Sequence, residues 1–165
     1  IYFQQKVGTF ALAWVWAFIY LGFMPSGWMV RRMSVAVGQE THMIVLSLLL
    51  SGVGLTMIAC VSGIALPLCG VMIHEFGRGM FQPLTDSFVQ HRVHSSYRAT
   101  FGSLQSFLGR IGFMITPFVV WLMIDDQPNT PETITAVWQI CGLVLIGGSI
   151  VCWFTRPKNN AKNNA

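Results

Sequence analysis

The chain has 165 residues, of which 53% are apolar and only 10% are Asp, Glu, Lys or Arg, and its formal net charge is +4. Soluble domains carry about 25% charged residues because their surface faces water, so this composition excludes an ordinary soluble globule and points to a surface facing lipid. The apolar stretches recur along the whole length, which rules out a lone secretory signal peptide as their source.

The opening Ile1-Tyr2-Phe3-Gln4-Gln5 lacks an initiator Met. Residues 1–6 read as the outer end of a preceding span, and the chain is expected to be a fragment of a longer protein. A bilayer core about 30 Å thick takes about 20 apolar residues in a helix, with every backbone polar group bonded internally. By that rule, spans are predicted near 7–30, 43–61, 63–85, 99–124 and 133–154, followed by a polar tail over 155–165. The fold class is therefore all-α, a polytopic transmembrane bundle of about five spans.

The uncharged run from Met43 to Ile73 is too long for one simple span and too short for two. Charge arbitrates. Five spans place Arg31 and Arg32, Arg92 and Arg98, and Arg156, Lys158 and Lys162 on one side, with Asp125, Asp126, Glu132 and Lys6 on the other. Four spans would put the two internal basic loops on opposite faces. The positive-inside rule favours five, with a tight turn at Ser62-Gly63 and a cytoplasmic C-terminus. The basic residues then act as topological anchors, and no nucleic-acid partner is implied. Several of the tryptophans, Trp14, Trp16, Trp28, Trp121, Trp138 and Trp153, fall near predicted span ends, where amphipathic rings favour the interface. Cys60, Cys69, Cys141 and Cys152 lack any ligand spacing and read as small apolar packing residues.

The third predicted span carries His74-Glu75-Phe76-Gly77-Arg78-Gly79 near mid-bilayer depth. A charge there costs about 2.5–3.5 kcal/mol on insertion scales, so it should face a bundle interior or an aqueous cavity and find a partner. Glu75, Arg78, Gln82 and Asp86 share one helical face, and Ile73, Phe76, Met80 and Leu84 form the apolar face opposite. The fourth predicted span places Ser103, Ser106 and Arg110 on one stripe, beside Gly102, Gln105, Gly109 and Gly112. Small residues permit close helix approach in lipid, so tight packing is expected there with Arg110 turned inward. Two readings stand for these charges: a substrate or ion pathway, or an ion pair that fixes helix orientation. His74 reads either as a proton carrier or as a hydrogen-bonded packing residue. Pro67, Pro83 and Pro117, together with Gly63, Gly70, Gly77 and Gly79, are consistent with bending or with tight packing.

The segment from His74 to Asp125 runs H-E-F-G-R-G-M-F-Q-P, V-Q-H-R-V-H-S-S-Y-R-A-T-F-G-S-L-Q-S-F-L-G-R-I-G and T-P-F before an acidic pair. It resembles the tenth and eleventh helices of major facilitator superfamily transporters, especially bacterial ones with Glu-x-x-Arg-Gly-x-x-x-Pro. Glu75, Arg78, Gly79, Pro83, Arg98, Ala99, Thr100, Ser103 and Arg110 carry the likeness. Gly27-Trp28-Met29-Val30-Arg31-Arg32 resembles the degenerate second copy of the family's Gly-x-x-x-Asp-Arg loop, with Arg31 where the family has Asp. The resemblance implies that the five spans are the family's eighth to twelfth helices, in a bacterial inner or cell membrane, partnered by a missing N-terminal half. It implies secondary active, proton-coupled transport of a small organic solute or drug by alternating access. On this reading His74, Glu75, Arg78, Gln82 and Arg110 are substrate or ion pathway candidates. Gly27, Arg31, Arg32, Asp86, Arg98, Thr100 and Ser103 are loop and gating residues.

The alternative is a non-transporting sensor or assembly module in which the ion pairs are structural. An enzyme is not expected: His74-Glu75 lacks the second His of a zinc helix, and no nucleophile–base motif appears within the spans. With no phosphate-binding Gly-rich loop, an ATP-driven pump is disfavoured, and no cofactor or metal is expected.

Overall fold

The computed structural model describes residues 11–32, 40–60, 63–124 and 131–155. The expected outer end 1–6 with Lys6, Ser62 of the turn, the acidic pair Asp125 and Asp126, and the tail cations Arg156, Lys158 and Lys162 lie outside the described residues. Among the described residues there are five α-helices and no strand. They are α1 (Ala11–Arg32), α2 (Glu40–Ile58), α3 (Ala65–Arg92), α4 (Arg98–Ile124) and α5 (Pro131–Thr155), with a 3-10 turn at Ser95–Tyr97 before α4. Three stretches, Glu40–Ile58, Ser95–Leu122 and Glu132–Thr155, are long and apolar enough to cross a membrane. The chain is a helical membrane protein. α3 is not among the three despite its 28 residues, because its polar face lowers the mean apolarity.

α3 is the centre of the bundle, packing against α2 and α1, while α2 also packs against α5. Two small apolar clusters mark the ends of this arrangement. Met43, Met80 and Leu84 pack with Val30, Ile44 and Phe76 at the end where α1 and α3 finish and α2 begins. Leu55, Ile58 and Val71 pack with Ile19, Cys141 and Leu145 at the other. Arg31, Arg32 and Arg92 thus share one end of the bundle. The α2–α3 turn contains Gly63 at φ +76°, a left-handed conformation that a β-carbon disfavours.

Between the two clusters the helices approach at small residues. A β-carbon added to Gly77 would sit 2.6 Å from the Ser47 carbonyl oxygen, and one at Gly70 would sit 2.7 Å from that of Gly54. Gly22 meets the Met72 backbone and Gly142 the Gly52 carbonyl in the same way. Lipid tails are as apolar as the side chains, so helices here associate through close van der Waals contact of their backbones, which only small residues allow. Several serine and threonine hydroxyls in the helices turn back on their own backbone: Ser47 donates to Ile44 at 2.7 Å and Ser149 to Ile146 at 2.7 Å. These hydroxyls are then bonded without leaving their own helix.

α4 departs from expectation. Its stripe of Gly102, Gly109 and Gly112 packs against nothing, since a β-carbon at each meets no atom within 4 Å. The helix is exposed along nearly its whole length and touches α3 and α5 only lightly. Small residues permit close approach but do not by themselves bring a partner; the seam formed instead at the glycines of α2 and α3. Gly77→Ala is expected to destabilise the fold by about 1–3 kcal/mol through overpacking, whereas Gly109→Ala is neutral or slightly stabilising through helix propensity. Unfolding of the two variants in detergent, compared with the parent, checks this.

Candidate functional site

The polar face of α3 divides into two parts. His74, Glu75 and Arg78 lie toward α1 and α2, and Gln82 and Asp86 lie toward α4. His74 joins α3 to α2, its Nδ1–H donating to the Ser51 carbonyl at 3.1 Å while the Ser51 hydroxyl donates to the His74 carbonyl at 3.3 Å. This reciprocal pair fixes the ring tautomer, because a carbonyl can only accept. One turn further along α3, Arg78 donates to Glu75 Oε2 from Nε at 2.9 Å and from Nη2 at 2.6 Å. The carboxylate is largely enclosed, with 12% of its side chain exposed against 59% for Arg78. The guanidinium also lies 5.6 Å from the centre of the Phe23 ring on α1, a cation–π contact that fixes its direction. The i,i+3 spacing thus yields a bonded pair whose anion is inside and whose cation is at the margin.

Gln82 and Asp86 open onto a groove of about 640 Å³ between α3 and α4, which Ala99, Gly102, Ser103, Gln105, Ser106, Phe107 and Arg110 complete. Gln82 Nε2 donates to Asp86 Oδ1 at 3.0 Å, and Gln105 Nε2 reaches the same oxygen at 3.3 Å and the Thr85 hydroxyl at 3.2 Å. Asp86 is therefore held by two amides, one from each helix, and Arg110 contributes a positive charge farther along the groove wall. One carboxylate, one guanidinium, two amides and two serine hydroxyls line the groove, so hydrogen-bond donors and acceptors are both present along its walls.

No family model, no curated protein and no solved structure matches the chain. The site therefore stands on its own geometry.

Of the residues singled out in sequence, the groove brings together Gln82, Asp86, Ser103 and Arg110. His74, Glu75 and Arg78 form a separate group on the α1–α2 side. Gly27 is half-buried with no atom within 4 Å of a β-carbon, and Arg31 and Arg32 are exposed at the end of α1, Arg32 lying 5.2 Å over the Trp28 ring. Arg98 bonds the Val93 carbonyl at 3.1 Å, closing the turn into α4, and Thr100 is exposed. Gln105, placed by the sequence on the stripe beside Ser103 and Arg110 but not among the pathway or gating candidates, makes both α3–α4 amide bonds. Among the described residues no group of three metal-ligating side chains assembles.

In a background with the native cysteines replaced by serine, Gln82→Cys and Ser106→Cys are expected to react with a membrane-impermeant thiol reagent. Phe113→Cys, on an apolar part of α4, is expected to stay unlabelled. Labelling of the full-length protein in sealed vesicles, read by mass shift, checks the contrast.

Proposed function

We propose that this chain is the C-terminal part of a secondary active, proton-coupled transporter of the major facilitator type, carrying a small organic solute or drug across a bacterial cell membrane. The observation that carries the reading is the polar groove between α3 and α4, lined by Gln82, Asp86, Ser103, Gln105, Ser106 and Arg110 in a chain otherwise apolar. Side chains of this kind at membrane depth are expensive and are kept where they face a pathway. The Glu75–Arg78 pair supplies the coupling element. Protonation of Glu75 removes its charge and weakens its hold on Arg78, so that proton uptake alters the electrostatics of the α3 face. Coupling arises when that change favours one of two orientations of the helices over the other. On this reading five spans cross the membrane, with the Arg31–Arg92 end and the C-terminus cytoplasmic.

The second reading, a non-transporting sensor or assembly module, is favoured by one observation: Glu75 and Arg78 satisfy each other within a single helix, as a purely structural pair would. Reconstitution separates the two. The full-length protein in proteoliposomes is expected to drive flux of a member of a broad solute and drug panel under an imposed pH gradient. Glu75→Gln is expected to express and fold but to fall to the rate of empty liposomes. Absence of gradient-dependent flux from folded protein across the panel would instead support the module.

A further inference from the structure

A second polar cluster joins α2 to α3 away from the groove, and the transport reading makes no use of it. Glu40, the first residue of α2, is only 1% exposed. Its Oε1 accepts the Ser87 hydroxyl at 2.8 Å and the Nδ1–H of His91, both from the last turns of α3. Its Oε2 is buried without a hydrogen-bond partner. Buried side-chain oxygens are nearly always satisfied, and one that is not calls for a reason. A buried carboxylate is tolerated when a positive charge stands against it and is costly when none does.

Among the described residues, His91 is the one cation-capable group in ion-pair contact with Glu40. The other charged groups on the elements around it are engaged elsewhere or face outward. On α1, Arg31 and Arg32 are exposed and Arg32 covers Trp28. On α3, Asp86 is held by Gln82 and Gln105, Arg92 lies 4.5 Å over the Phe88 ring, and beyond its end His94 bonds Ser96 at 2.9 Å. On α2, His42 stands edge-on to Trp153 of α5, and Glu132 of α5 sits at the opposite end of the bundle. Among the described residues, the charge balance of the cluster is thus decided by the imidazole of His91.

The placement of that imidazole separates access from effect. The His91 side chain is 43% exposed, and that of Glu40 is 1% exposed. Nδ1 is committed to Glu40, so an incoming proton binds at Nε2, and the resulting positive charge is shared across the ring and presented to the buried carboxylate through Nδ1–H.

We propose that Glu40, Ser87 and His91 form a proton-operated clamp. Proton uptake on His91 turns the α2–α3 join into an ion pair and tightens the Arg31–Arg92 end of the bundle. Proton loss leaves a buried carboxylate held only by neutral donors and loosens that end. The stabilisation is present while the imidazole is charged and is lost when rising pH removes that proton. The clamp is distinct from Glu75 and does not depend on whether the chain transports a solute.

The test uses the full chain in detergent at about pH 5.5 and about pH 8, either side of the imidazole range. Wild type is expected to melt at least about 2–4 °C higher at the lower pH. Amide hydrogen exchange in the first turn of α2, corrected for intrinsic rate, should be slower there. His91→Lys, which keeps a positive charge at both values, should retain the tighter state throughout, and His91→Gln and Glu40→Gln should abolish the pH difference. Where a variant fails to fold, wild-type exchange at the two pH values decides. Equal exchange and melting at both values, or a pH difference that survives in His91→Gln, would overturn the clamp.

Discussion

Lipid removes the force that folds water-soluble proteins. Apolar side chains gain nothing by leaving one hydrocarbon environment for another, so the bundle depends on how closely its backbones can approach. The α2–α3 seam meets that constraint with Gly54, Gly70 and Gly77 facing Ser47, Ser51 and His74. Everything else is placed by it. The seam sets the rotation of α3, and the rotation turns Met80 and Leu84 inward and leaves Gln82 and Asp86 facing α4.

Once the rotation is fixed, the polar side chains of α3 sort by depth and direction. His74 is spent on the seam, Glu75 and Arg78 neutralise each other beside α1, and Asp86 is shared by amides from two helices. Each group is satisfied locally, as a low-dielectric setting demands. Arg110 differs in that it lines the open groove between α3 and α4.

Much of this was legible in the sequence because it rests on local periodicity. The helices follow from apolar runs of membrane length, and the shared face of Glu75, Arg78, Gln82 and Asp86 follows from helical spacing. The apolar face with Met80 and Leu84 followed in the same way. What the sequence hid was pairwise and distant. Nothing local tells that Gly77 meets Ser47 while Gly109 meets nothing, because both look like small residues in an apolar helix. Glu40 was equally opaque: it sits just before an apolar run, where a charge ordinarily anchors a span at the interface, and its partners lie 47 and 51 residues away. α3 also continues seven residues beyond the predicted end at 85, to Arg92, and that extension is what carries Ser87 and His91 to Glu40.

Arg78 grips Glu75 asymmetrically, Nε and Nη2 both bonding the same oxygen. Neither bond uses Oε1. The carboxylate thus keeps one oxygen able to accept a further hydrogen bond while its contact with the guanidinium stays closed.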